Sequence, residues 1–362
     1  MQFRPVFDTK KRPILVAGPC SAETEDQVLE TAHALAGQGI DLFRAGIWKP
    51  RTRPGAFEGV GKIGLAWLRR AKEETGLKIT TEVANGQHVT EALRHGVDVL
   101  WIGARTTANP FSVQELADAL QGLDMPVLIK NPINADLKLW IGAIERIYQA
   151  GIDRIAVVHR GFSKYGEVKY RNVPLWQLPI ELKILFPDLQ ILCDHSHICG
   201  KSDLLHEVAQ QALDLNFDGL MTEVHPSPAN ARSDAEQQVT PWQYREMTQE
   251  LIVRKPAATD RALLQYLLES RREIDALDEK IIEMLHERMK IAERIGGYKR
   301  ENNIAIYQPE RWREILENGL AKGTALGLSE EFISLLMKAI HQESINHQSA
   351  VMNEMHIAGH TG

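Results

Sequence analysis

The sequence predicts a (β/α)₈ TIM barrel followed by an all-α helical domain. Three observations predict it. Up to about residue 255 the chain repeats one unit eight times: a short apolar run, a chemically loaded end, then a longer mixed segment. Eight βα units in about 250 residues is the arithmetic of a closed parallel barrel. From residue 261 the texture changes to helical periodicity, with no proline before residue 309. An open doubly wound sheet is the alternative architecture for the first part.

The runs are Ile14–Pro19, Leu42–Gly46, Lys78–Val83, Val99–Ala104, Pro126–Asn131, Arg154–Arg160, Gln190–His195 and Gly219–Val224. Their length and β-branched content suit strands buried on both faces. Helix-like stretches such as Glu25–Gln38, Gly61–Thr75, Val113–Gln121 and Lys201–Leu213 separate them. Arg254–Asp260 reads as the linker, and Asp260 can cap the next helix. We expect a barrel over 1–253, a linker over 254–262 and a helical domain over 263–355.

Apolar residues Ile274, Leu277, Ile281, Leu285, Ile291 and Ile295 stripe a helix of some 40 residues, Arg261 to Arg300, about 60 Å long. A domain of about 100 residues cannot cover such a rod alone, so a homodimer through this domain is expected. Shorter helices are expected near Pro309–Leu320 and Ser329–Ser349.

Composition narrows the function. The chain has 362 residues, 44% hydrophobic and 25% charged, with a net charge of −6. Splitting at residue 259 gives about −2 and −4, so neither part has the basic excess that nucleic acid or an anionic membrane attracts. No run approaches the roughly 18 apolar residues that span a bilayer. Met1–Pro13 has no signal-peptide core, and three cysteines make no disulfide framework. A cytoplasmic enzyme is expected, with the barrel starting within about 13 residues and no regulatory domain ahead of it.

Chemistry in a barrel of this type sits at the C-terminal strand ends. Here these carry Cys20; Arg44, Lys49, Arg51, Thr52 and Arg53; Glu82; Arg105; Lys130; His159 and Arg160; Asp194, His195 and His197; then Glu223, His225 and Asp234. Converging Arg and Lys need anions, and guanidinium forks match phosphate and carboxylate. Cys20, His197, Glu223 and Asp234 suit a divalent metal with mixed S, N and O ligands. Taken singly, each has a plainer reading: a surface ion pair, a buried small thiol, or, for His195 and His197, a bond to backbone. A zinc knot from Cys193, Cys199 and a histidine would lack a second cysteine pair.

The stretches GPCSAE (18–23), FRAGIWKPRTRPGAFEGVG (43–61), TEV (81–83), IGAR (102–105), DHSHICG (194–200) and EVHPSPANARSD (223–234) closely resemble the type I-beta 3-deoxy-D-arabino-heptulosonate 7-phosphate (DAHP) synthases. KPRT separates that family from the octulosonate 8-phosphate synthases. The resemblance implies condensation of phosphoenolpyruvate with erythrose 4-phosphate and release of phosphate, the first step of the shikimate pathway. It implies a divalent metal on Cys20, His197, Glu223 and Asp234: Mn2+ foremost, with Fe2+, Co2+ or Zn2+ as the other options. Lys49, Arg105, Lys130 and Arg160 would hold phosphoenolpyruvate, with Arg44 nearby; Pro50, Arg51 and Thr52 would meet erythrose 4-phosphate. Lys49, Glu82 or a metal-bound water could move the proton. Asn131-Pro132, His159, His195 and Cys199 depart from what relatives often carry.

In the second domain Arg271, Arg288 and Lys299 lie along the apolar stripe, and a cation there needs an anion. Arg271, LDEKIIEMLHER (277–288), Lys299, PERW (309–312) and the run from Glu343 and Ser344 to Gln348 resemble the all-helical chorismate mutases. The resemblance implies rearrangement of chorismate to prephenate without cofactor. Arg271, from the partner chain, and Arg288 would hold the two carboxylates. Lys299 and Gln348 would bond the ether oxygen, and Arg311 and Ser344 would complete the pocket. Gln308 and Trp312 stand where many relatives carry acids. Feedback by prephenate or chorismate through this domain is a further expectation. A non-catalytic sensor and a dimerisation module are the alternatives.

Overall fold

The computed structural model describes residues 1–10, 12–49, 55–166, 169–255, 257 and 260–353. The chain divides into two compact units, Met1–Pro256 and Ala257–Gly362. In the first, strands β1 (Ile14–Gly18), β2 (Leu42–Arg44), β3 (Ile79–Val83), β4 (Val99–Ile102), β5 (Val127–Lys130), β6 (Ile155–His159), β7 (Gln190–Cys193) and β8 (Gly219–Glu223) close a parallel barrel in sequence order. The open-sheet alternative is thereby excluded. Closure rests on β1 against β8, registered from Ile14↔Gly219 to Gly18↔Glu223.

Helices α1 (Glu25–Ala36), α2 (Ile63–Thr75), α3 (Gly86–Arg94), α4 (Ala104–Thr107), α5 (Pro110–Leu120), α6 (Leu137–Gln149), α7 (Gln177–Leu185), α8 (His195–Cys199), α9 (Leu205–Asp214) and α10 (Pro241–Glu250) belong to the same unit. Their starts are written locally. Thr24, Asn85 and Asp136 accept backbone N–H bonds from the first turns of α1, α3 and α6. Thr240 and Gln243 form a capping box ahead of Pro241. The helix expected over Val113–Gln121 starts three residues earlier, at Pro110, because the Asn109 side chain caps it there. The helix expected from Lys201 begins at Leu205, after a 3₁₀ turn.

Strand periodicity sorts the barrel's side chains into two cores. Ile14, Val16, Leu42, Val99, Trp101, Leu128, Ala156, Val158, Leu192 and Met221 fill the interior. Alternate residues such as Phe43, Leu100, Ile129, Val157 and Leu220 pack outward in the larger helix-covered core. Continuing the inner parity to the C-terminal ends selects Arg44, Glu82, Lys130, Asp194 and Glu223, all buried. It does not select His159. That residue, expected at the mouth, points outward among Trp140, Phe162, Trp176 and Phe217. Gly18, at φ 147°, is required where β1 passes β2: a Cβ there would lie 2.1 Å from the Arg44 carbonyl oxygen.

The second unit comprises α11 (Arg261–Glu301), α12 (Pro309–Ala325) and α13 (Glu330–Asn353). Asp260 caps α11, accepting from the Leu263 N–H. On α11 the buried residues are Met289, Ala292 and Gly296, an i, i+3, i+7 face. Gly296 lets α13 approach so closely that a Cβ would lie 3.0 Å from Gln348 Cα. As the length of the rod implied, one chain does not cover the apolar stripe. Ile274, Leu277, Ile281, Ile291 and Ile295 are 45–57% exposed; Ile291 and Ile295 line a cavity with α12 and α13. Among the described residues no helix is long and apolar enough to cross a membrane.

Burial pushes the His159 imidazole down to about 3, from an ordinary value near 6.5. The unfolded chain therefore takes up a proton that the folded barrel refuses. The stability this neutral ring confers is complete above about pH 6.5 and lost as pH falls toward 3, by up to ~1.4 kcal/mol per pH unit. Urea titrations across that range should show this slope in the wild type. His159→Leu should lack it.

Candidate functional site

The residues at the barrel mouth form a layer of opposed charges on an aromatic floor. Trp101 lies under both cations, with the Arg44 guanidinium 5.0 Å and the Lys130 ammonium 5.6 Å from its ring. The indole N–H donates to Glu82 Oε2 at 3.0 Å. Arg44 Nη2 donates to Glu223 Oε1 at 2.9 Å, and Lys130 Nζ to Asp194 Oδ2 at 2.6 Å. Asp194 also meets His197 Nδ1 at 2.9 Å. Burial works against the Asp194 carboxylate, but His197, Lys130 and Arg44 hold it well below its usual range. Burial drives Lys130 down in spite of Asp194. Two Arg44 nitrogens, Nε and Nη1, are buried without a hydrogen-bond partner, so the layer still has donors to offer an anion.

Cys20, Glu223 and Asp234 bring one ligand atom each within 4.8 Å of one another. Cys20 follows β1, Glu223 ends β8, and Asp234 arrives on the loop behind β8. That loop is strapped to β1: Cys20 N–H donates to Gln238 Oε1 at 3.0 Å, and the Ser21 and Ser233 hydroxyls meet at 2.6 Å. Asp234 itself adopts φ 49°, ψ 41°, a left-handed conformation unusual for a non-glycine residue. The Cys20 thiol donates to Asp234 Oδ2 at 3.2 Å and accepts from Lys49 Nζ at 3.1 Å. Burial, then Glu223, pushes this thiol up to about 12. His197 lies just outside the three, its Nε2 3.8 Å from Glu223 Oε1. Its Nδ1 is engaged by Asp194, the arrangement that leaves Nε2 to a metal. A soft thiolate, an imidazole and two carboxylates suit a borderline divalent ion, and the donor set fits one.

Arg160 Nη1 donates to Asn172 at 2.6 Å, and burial lowers the guanidinium to about 10. Lys49, Glu82, Arg105, Lys130, Arg160, His197 and Asp234 line one cleft, while Arg44 lies beneath it. Pro50, Arg51 and Thr52, expected to meet erythrose 4-phosphate, lie outside the described residues. His195 takes its plainer reading, its ring nitrogens facing Leu205 O and Thr222 Oγ1. Sequence reasoning missed three participants. Arg171 donates to Asp234 at 2.9 Å and to Gln237 at 2.7 Å, and Gln237 donates to Glu223 at 2.6 Å. Trp101 looked like ordinary core. Inner-face parity was a readable signal for Trp101; Arg171 and Gln237 lie in loops without one.

In the helical unit a cavity of about 380 Å³ is lined by Arg288, Lys299, Arg311, Ser344 and Gln348, with Gln308, Trp312 and His341. Arg288 bonds the Ser344 hydroxyl, and Lys299 Nζ donates to Ile306 O at 2.6 Å. Gln348 Nε2 donates to Ser344 O, while its Oε1 is buried without a protein partner. Arg271 is not in this cavity. It is exposed on α11, 17 residues before Arg288, which is about 25 Å along the axis.

A closed parallel barrel with ionisable side chains layered at its C-terminal mouth defines a (β/α)₈-barrel enzyme. Residues 6–256 match the DAHP synthetase I family and residues 270–349 match chorismate mutase type II. The chain belongs to the DAHP synthetase I family and carries a chorismate mutase domain behind its barrel; it joins a DAHP synthase and a chorismate mutase in one polypeptide. A phospho-2-dehydro-3-deoxyheptonate aldolase of Thermotoga maritima is 32% identical over 237 residues, 66% of this chain and 68% of the relative. A 2-dehydro-3-deoxyphosphooctonate aldolase of Nitratidesulfovibrio vulgaris is 28% identical over 240 residues, 62% of this chain and 85% of its own length. The crystal structure of the DAHP synthase of Thermotoga maritima superposes with a TM-score of 0.58 at 29% identity, covering 66% of this chain and 67% of that one. A truncated form from the same organism gives 0.57 at 28%, covering 66% and 84%.

Asp194 partners Lys130 and His197, so Asp194→Asn leaves a buried ammonium without its counter-charge. The expected cost is about 3 kcal/mol of barrel stability. Urea unfolding of wild type and variant measures it.

Proposed function

We propose that the barrel mouth holds phosphoenolpyruvate on Lys49, Arg105, Lys130 and Arg160, with Arg44 beneath, and that Cys20, His197, Glu223 and Asp234 hold a divalent metal, manganese foremost. The observation that carries this reading is the thiol and two carboxylates grouped with the His197 Nε2 3.8 Å from Glu223, beside a layer with unspent guanidinium donors. When bound, the metal would supply a Lewis acid for the aldehyde of erythrose 4-phosphate. The chain's own residues do the rest. The cations fix the carboxylate and phosphate of phosphoenolpyruvate so that its methylene carbon faces the aldehyde. As the new carbon–carbon bond forms, positive charge at C2 is met by water, and phosphate leaves. Lys49, 3.1 Å from Cys20 Sγ, is the group placed to give a proton to the nascent alkoxide. Glu82, held by the Trp101 N–H, is placed to take one from the attacking water. Chelation should abolish phosphoenolpyruvate consumption and manganese should restore it. Asp234→Asn should raise the metal concentration needed for half-maximal rate by about tenfold or more.

For the helical unit we propose a homodimer in which Arg271 of the partner subunit completes the cavity. The half-exposed stripe on α11 supports this, as does the distance that keeps Arg271 from its own Arg288. Arg288 and Arg271 would grip the two carboxylates of chorismate. Lys299 and Gln348 would meet the ether oxygen, stabilising charge that develops as its bond breaks. Subunit mixing tests the arrangement. Arg271→Ala and Lys299→Ala chains should each be inactive as mutases. Their equimolar mixture should regain about a quarter of wild-type rate, since half the dimers carry one intact site of two. No regain would overturn the shared site.

We further propose that prephenate or chorismate bound in this cavity restrains the barrel, and that the protein works in the cytoplasm. Phosphoenolpyruvate consumption by the full chain, with and without prephenate, tests the coupling. Suppression supports it; indifference leaves two independent enzymes. A unit that responds to prephenate but does not convert chorismate would be a sensor, and loss of the dimer in Arg288→Ala would indicate a dimerisation module.

A further inference from the structure

One ring in the mutase cavity is assigned no task by the reading above. His341 lies one helical turn before Ser344 and two before Gln348, so the three share the α13 face that lines the cavity. Its imidazole stacks on the Trp312 indole, centroids 4.1 Å apart and planes at 24°. Tyr307 meets it edge-on at 6.1 Å and 67°. A ring held by two aromatic neighbours has its plane fixed, and its hydrogen-bonding edge is fixed with it.

Of the other cavity groups, Gln348 is given to the ether oxygen and Gln308 is the remaining amide. Arg288, Lys299 and Arg311 are cations, suited to carboxylates and the ether oxygen. Ser344 is engaged by Arg288 and donates to Ile340 O at 2.8 Å. Chorismate also carries a secondary ring hydroxyl, which both donates and accepts. A cation can only donate to it. A neutral imidazole offers one nitrogen of each kind. Burial and the nearby Arg288 both push His341 below its ordinary value, toward the neutral ring.

We propose that His341, its plane set by the Trp312 stack, binds the ring hydroxyl of the mutase substrate and so helps select it. This rests on the mutase reading of the cavity.

The experiment uses the full-length chain and two substrates, chorismate and its analogue lacking the ring hydroxyl. The wild type should favour chorismate by about tenfold in kcat/KM. His341→Ala should lose that factor on chorismate, chiefly in KM, and lose little on the deoxy analogue, so the preference collapses. His341→Asn, which keeps a donor and an acceptor, should recover it to within about threefold. Trp312→Phe should retain it and Trp312→Leu should weaken it. Helical circular dichroism checks folding, and His341→Phe, which keeps the stack and removes both ring nitrogens, replaces the alanine variant if that does not fold. If the preference survives in whichever of His341→Ala and His341→Phe folds, the inference is overturned. If Arg288→Ala leaves chorismate turnover intact, the mutase reading of the cavity fails instead.

Discussion

The barrel depends on a charge problem solved in one plane. Side chains that strand parity turns inward at the C-terminal ends are ionic, and all are dry. Two cations, Arg44 and Lys130, stand against Asp194, Glu223 and Glu82 over the Trp101 ring. Burying any one alone would cost several kcal/mol. Together they hold each other charged and leave some donors unused. A hydrophobic plug would be easier to fold there. The ionic layer lets a packed core end with guanidinium donors still unpartnered, as Arg44 Nε and Nη1 are.

Most of this was legible in the sequence because two periods do most of the sorting. Eight apolar runs ending in chemistry gave the strand order, and motif resemblance named Cys20, Glu223 and Asp234, which the structure brings together. Boundary detail was less legible. The helix expected from Val113 begins at Pro110, set by the Asn109 side-chain cap, which periodicity does not register. His159 was misplaced because it sits at a loaded strand end, where proximity in sequence suggested the mouth. A period of two sends it to the opposite face from Val158, into an aromatic cage. Arg171 and Gln237 were invisible because they act from loops, where nothing periodic marks them.

The helical unit shows a different limit. The stripe from Ile274 to Ile295 was readable as apolar and too long for one chain to cover; which residues that chain does bury was not readable. One chain buries only Met289, Ala292 and Gly296 of that rod, set by the close approach that Gly296 allows. The cations interrupting the stripe fell in two places. Arg288 and Lys299 line a cavity with α12 and α13, while Arg271 stays on the open stretch. His341 and its stack with Trp312 carried no sequence signal, since an aromatic and a histidine 29 residues apart on different helices reveal nothing until the helices pair.

The strap between the loop behind β8 and the end of β1 has a consequence in time. Cys20 is among the first barrel residues synthesised, while Glu223, Asp234 and Gln238 are among the last. The cluster they form exists only when the first and last strands have met. A ribosome must therefore release nearly the whole barrel before the cluster can assemble. Every shorter intermediate carries the thiol without its companions. Ring closure and chemical maturation of the barrel are a single event, and the helical unit is still being made when it becomes available.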